Sequence, residues 1–94
     1  MHPLIEQHRA AIRTLAARRG IENVRVFGSM ARGDAGNDSD IDLLVSLPPG
    51  RSGLALGGLL MDVQDLTHRK VDVVTEASLH PALRERVLLE ALAL

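Results

Sequence analysis

The sequence predicts an α/β (α+β) fold, a small mixed β-sheet flanked by helices. Segments with apolar residues at helical spacing alternate with short β-branched runs, in the order helix, strand, strand, helix, strand, helix. Glycine- and proline-rich punctuation falls between them. The 94 residues, 46% of them hydrophobic, suffice for one compact domain spanning 1–94 and not for two.

Residues 3 to 19 are expected to form the first helix. Leu4, Ile5, His8, Ile12, Leu15 and Ala16 lie on one stripe, and Glu6, Arg9, Arg13 and Arg18 point elsewhere. Pro3 suits a first helical position, and Gly20 suits the left-handed residue that ends a helix. Val24-Arg25-Val26-Phe27 alternates as a strand does, and Gly28 breaks it. Gly33 to Asp40 is turn chemistry throughout. Ile41 to Leu47 is a second strand, stopped by Pro48-Pro49-Gly50. A second helix runs from about Ser52 to Thr67, with Leu56, Leu59, Leu60, Val63 and Leu66 at helical spacing. Gly53, Gly57 and Gly58 weaken its first turns by roughly 1 kcal/mol each relative to Ala. Lys70 to Thr75 is the third strand, and Pro81 opens a last helix expected to reach the C-terminus. On that helix Leu83, Val87, Ala91 and Leu94 share a face, while Leu88, Leu89, Leu92 and Ala93 carry apolar surface around most of the rest. Such a helix is expected to be buried on more than one side, either in a deep packing site or at a subunit interface.

Composition removes several function classes. Phe27 is the only aromatic residue, so the stacking platforms of single-stranded nucleic-acid binders are missing. The formal net charge of -1 provides no basic field for nucleic acid. Without cysteine there is no disulfide, thiolate metal site or cysteine nucleophile. Met1 to Glu6 lacks the apolar run of a signal peptide, and no stretch approaches the ~20 apolar residues of a membrane span. A cytoplasmic location is expected.

The chemistry concentrates in acids on strands. Side chains alternate along a strand, so Asp40 and Asp42 project to one side, roughly 6.6 Å apart along the backbone, while Ile41 and Leu43 point to the core. Two carboxylates fixed together need a compensating cation, and hard oxygen ligands suit Mg²⁺. Asp72 repeats the pattern, a single acid among Val71, Val73 and Val74. If its strand neighbours Ile41–Leu47, about 4.8 Å away, Asp72 completes a three-carboxylate, two-metal cluster suited to in-line phosphoryl displacement. Gly28-Ser29 follows a strand and precedes Met30-Ala31-Arg32, a short helical turn. Glycine lets backbone approach a phosphate, free N–H groups attract anions, and the Ser29 hydroxyl adds a donor. Arg32 can neutralise a phosphate or pair with a neighbouring acid.

Taken together, Gly28-Ser29, ten intervening residues, and then Asp40-Ile41-Asp42 resemble the signature of the nucleotidyltransferase superfamily that includes DNA polymerase beta. The string from Phe27 to Asp34, followed by Ser39-Asp40-Ile41-Asp42-Leu43-Leu44-Val45, is similar to its minimal nucleotidyltransferase subgroup. The resemblance implies a polymerase beta-like core in which Asp40 and Asp42 hold two Mg²⁺ ions, Asp72 holds one of them and helps deprotonate the attacking hydroxyl, and Gly28 and Ser29 grip the triphosphate of ATP. It also implies transfer of AMP with release of pyrophosphate. The implied setting is an antitoxin that forms a hetero-oligomer with a HEPN-type ribonuclease toxin and modifies a toxin tyrosine, with no direct nucleic-acid or membrane partner. Transfer to a small molecule such as an aminoglycoside, or neutralisation by binding alone, are the alternatives. His2, His8, His68 and His80 lack metal-ligand spacing, and His68-Arg69-Lys70 reads as positive charge at a helix end. Asp34 and Asp38 fit turn formation, while Asp62, Asp65, Arg51 and Lys70 read as surface charge.

Overall fold

The computed structural model describes residues 1–36 and 38–94; the loop expected over 33–40 contains Asn37, which lies outside the described residues. Helix α1 (Pro3–Arg18) starts where His2 Nδ1 accepts the Leu4 N–H at 3.0 Å and proline occupies the first helical position. It ends as Gly20 anticipates. With Gly20 at φ +70°, the Gly20 N–H reaches Ala17 O and the Ile21 N–H reaches Ala16 O, which satisfies the last carbonyls. Strand β1 (Glu22–Phe27) begins two residues earlier than its alternation indicates. The extension passes through Asn23 at φ +53°, where the pairing register shifts.

After the short helix α2 (Ser29–Arg32), strand β2 (Ile41–Ser46) returns antiparallel to β1. Helix α3 (Leu54–Thr67) then crosses to strand β3 (Val71–Thr75), parallel to β2. Gly58 does more than weaken α3. A Cβ there would collide with the Arg19 guanidinium, which passes over Gly58 to donate two hydrogen bonds to Asp62 at 2.7 and 3.2 Å. Asp62, expected on a solvated face, therefore ties the end of α1 to α3.

Ile41, Leu43 and Val45 on β2, with Val26 and Val71 beside them, meet Ile5, Ile12 and Ala16 of α1 and Leu59 and Val63 of α3 in one buried cluster. Each fully buried Ile or Leu there contributes about 1.5–3 kcal/mol relative to exposure. Register puts Arg25, Leu44 and Val74 on the opposite face, next to Phe27, Asp42 and Asp72.

The C-terminal segment departs from expectation. Helix α4 (Pro81–Glu90) opens with His80 Nδ1 capping the Ala82 N–H at 3.1 Å, but it stops at Glu90. Ala91 turns extended, and Leu92–Ala93 form strand β4, antiparallel to β1, giving the sheet order β3-β2-β1-β4. Strand pairing wins here because the free edge of β1 offers unsatisfied backbone groups. Leu94 N–H donates to Val24 O at 2.9 Å, Arg9 Nη2 donates to Ala93 O at 2.8 Å, and the Leu94 side chain is buried. Nor is α4 buried on more than one side. Val87 is its one buried residue, and Leu83 and Leu89 stand 52% and 82% exposed. Among the described residues no helix is long and apolar enough to cross a membrane.

Candidate active site

The site is built where β1 ends. Phe27, its last residue, pairs with Asp42 of β2, so the turn that follows lies beside that acid. Gly28 makes the turn at φ +69°, ψ −153°, backbone space essentially restricted to glycine. A Cβ on Gly28 would stand 2.5 Å from Asp42 Oδ2. Backbone shape thus calls for glycine, and any Cβ would in addition push the Asp42 carboxylate aside. Ser29 then opens α2, which is anchored by buried Met30 and Ala31 and closed by Gly33 at φ +81°.

The β2–α3–β3 crossover fixes the acids. Parallel pairing aligns Ile41 with Val71, Asp42 with Asp72 and Leu43 with Val73. The two apolar pairs face the buried cluster, so Asp42 and Asp72 emerge together on the other face. Asp40 lies one residue before β2, where the Ile41 N–H bonds Lys70 O at 2.9 Å, and its Oδ2 is 3.9 Å from Lys70 Nζ. Both partners are well exposed, so that pair adds little stability.

Asp42, half-buried, holds the most strained charge. Burial pushes its carboxyl above the ordinary value of 3.8, and the charges of Asp72, Asp40 and Glu90 push it further the same way. Arg32 alone opposes them. Hydrogen bonds to Asp34 at 3.2 Å and to Glu90 at 3.1 Å hold Arg32 firmly protonated. In the free chain, Arg32 pairs with these two acids.

Gly28, Ser29, Arg32, Asp40, Asp42 and Asp72 therefore gather at one end of the sheet. Among the described residues no three acid or imidazole side chains converge closely enough to cage an ion on their own. The donor set nonetheless fits a hard divalent cation. It is all carboxylate, on rigid elements, and its central member has its charged form disfavoured by like charges that a cation would neutralise.

Sequence reasoning missed Glu90. Its Oε1 accepts the Gly28 N–H at 2.9 Å, its Oε2 accepts from Arg32, and its side chain is only 19% exposed. The signal was available: Glu90 is the lone acid in the apolar run Val87 to Leu94, the same pattern that singled out Asp72.

A family model described as the nucleotidyltransferase domain matches residues 5–94. The chain belongs to the nucleotidyltransferase domain family. The protein adenylyltransferase MntA of Thermococcus cleftensis is 37% identical over 76 residues, covering 81% of this chain and 77% of that protein. A solved structure described provisionally as a minimal nucleotidyltransferase superposes with a TM-score of 0.86 at 46% identity, over 100% of this nucleotidyltransferase chain and 97% of the other. A tri-AMPylated Shewanella oneidensis HEPN toxin solved with its MNT antitoxin contains a chain matching at a TM-score of 0.70 and 19% identity, over 94% of this chain and 69% of that one, a likeness of fold. The polymerase beta-like architecture and nucleotidyl transfer as the reaction class follow from this membership.

Proposed function

We propose that residues 1–94 act as one minimal nucleotidyltransferase domain, an Mg²⁺-dependent antitoxin that transfers AMP from ATP to a tyrosine of a cognate HEPN-type ribonuclease toxin. One observation carries this reading: Gly28 packs so tightly on Asp42 that the phosphate-binding turn and the acids paired across β2 and β3 form one surface. The adenylyltransferase name of the Thermococcus cleftensis relative supports AMP as the group moved. The fold shared with an MNT antitoxin bound to an AMPylated HEPN toxin supports the partner.

In this proposal Asp40 and Asp42 hold two Mg²⁺ ions and Asp72 holds one of them. The ions supply charge neutralisation at the triphosphate and at the attacking and leaving oxygens. The chain's own groups do the rest. The Gly28 N–H, the Ser29 hydroxyl and Arg32 bind and orient the triphosphate. Asp72 takes the proton of the tyrosine hydroxyl as its oxygen bonds the α-phosphorus. The bond from that phosphorus to the bridging oxygen breaks, and pyrophosphate leaves.

The test combines the purified chain, a candidate toxin, α-labelled ATP and Mg²⁺. Label should reach a toxin tyrosine and be lost in Asp40→Ala and Asp42→Ala. If those variants neutralise the toxin fully and no label moves, neutralisation is by binding and the catalytic proposal is wrong.

A further inference from the structure

The turn that would bind the triphosphate already holds an anion belonging to the chain. Glu90 spans two of the turn's three proposed donors, with Oε1 on the Gly28 N–H at 2.9 Å and Oε2 on Arg32 Nη1 at 3.1 Å. Attraction to the acids cannot explain its position, because Glu90 raises the electrostatic cost of charge on Asp42. What holds it is a backbone donor and a guanidinium, the same pair that a phosphate oxygen would seek. Its base is also fixed. Glu90 is the last residue of α4, and Leu92–Ala93 are clamped on β1 immediately afterwards. The carboxylate therefore cannot drift off with a fraying helix end, and only rotation of its side chain or a shift of α4 frees the donors.

We infer that Glu90 is a built-in competitor of the nucleotide, a carboxylate that occupies the triphosphate donors in the free chain and must leave before ATP binds. The inference rests on the proposed assignment of Gly28 and Arg32 to the triphosphate. Apparent affinity for nucleotide is then the intrinsic affinity reduced by the small fraction of molecules in which Glu90 has swung away. Because the competition is for phosphate, the ribose and base play no part in it.

The full chain, as wild type and as Glu90→Gln and Glu90→Asp, is titrated with ATP and separately with inorganic triphosphate, both with Mg²⁺. Glu90→Gln keeps the side-chain length and removes the charge, and should bind both ligands about tenfold more tightly. Glu90→Asp keeps the charge but is one methylene too short to bridge the donors, and should show a smaller gain of the same sign. In the free protein the Gly28 amide resonance should move in Glu90→Gln, as it should when triphosphate is added to wild type. If wild type binds ATP and Glu90→Gln binds it equally or more weakly, Glu90 is not a competitor, and the transferase reading stands without it. A gain for ATP without one for triphosphate overturns the inference too. If neither wild type nor the variants bind nucleotide, the assignment of the turn to triphosphate fails, and this inference fails with it.

Discussion

Replacing Gly28 by alanine tests the geometry on which the site depends. The backbone at φ +69°, ψ −153° is strained for any residue with a Cβ, at about 1–3 kcal/mol. The new methyl would also lie 2.5 Å from Asp42 Oδ2, so the carboxylate must move off its half-buried position. Together the two effects should cost about 2–3 kcal/mol, or a fall of roughly 10–20 °C in Tm for a domain of this size. Urea titration separates stability from a change in the denatured state, because the midpoint should fall while the slope holds. Gly33→Ala is the control. Gly33 also has positive φ, at +81°, but a Cβ there meets nothing within 4 Å, so only left-handed strain of about 1–2 kcal/mol is expected. Displacing Asp42 should lower transfer about 100-fold in Gly28→Ala, whereas Gly33→Ala should retain most of it. If Gly28→Ala loses no more stability than Gly33→Ala and keeps wild-type transfer, the tight contact between the turn and Asp42 is not what organises the site.

Asp42→Asn should raise stability at pH 7 in metal-free buffer while abolishing transfer. With the folded carboxyl raised above 3.8, wild-type stability falls as pH rises from there through the folded value, so the variant's advantage should vanish at lower pH in a series of urea melts. Added Mg²⁺ should raise the Tm of wild type and not that of Asp42→Asn. Asp72→Asn, at an exposed position, should melt within about 0.5 kcal/mol of wild type yet transfer poorly, and wild-type rates would sink the two-metal assignment. Arg25→Met should stabilise the fold by about 1 kcal/mol. Arg25 Nη1 pairs with Glu76 Oε1 at 3.4 Å, but Nε and Nη2 are buried without a hydrogen-bond partner among the described residues, and Glu76 keeps Arg84 as a partner after the substitution; a lower Tm would show that the guanidinium is satisfied in solution.

Most of the fold was legible because its local and long-range preferences agree. Pro3 and Gly20 bracket α1, Pro48-Pro49-Gly50 follows β2, and strands β1 to β3 fall on short runs rich in Val, Ile and Leu. The segment from 81 to 94 was not legible, for a definite reason. Its leucines and alanines fit a helix to the last residue, and what stops the helix at Glu90 is the open edge of β1, about 65 positions earlier in the chain. Propensity cannot register a vacant edge. The histidine caps were also hidden. His2 and His80 each precede a proline and each accept an N–H two residues on, a pairing that a search for metal-ligand spacing passes over.

The same division runs through the site. Gly28 to Asp42 is continuous in sequence, so spacing alone reveals it. Asp72 is legible one step further, since an isolated acid in an apolar strand matters only if that strand lies beside β2, and the α3 crossover puts it there in register with Asp42. Glu90 requires one step more, because its contact with Gly28 depends on where α4 stops, and that depends on β4. The residues added by long-range pairing have opposite consequences. Asp72 adds negative charge that a cation can neutralise, whereas Glu90 takes the donors at Gly28 and Arg32 that the proposed function gives to a triphosphate. In the free chain the acids around Asp42 therefore disfavour its charge while the donors at Gly28 and Arg32 already have an anion. Mg²⁺-bound nucleotide answers both conditions at once, bringing charge to the acids and phosphate oxygens to replace Glu90. Metal and triphosphate should accordingly bind with positive coupling, and Glu90→Gln should reduce that coupling by freeing the donors beforehand.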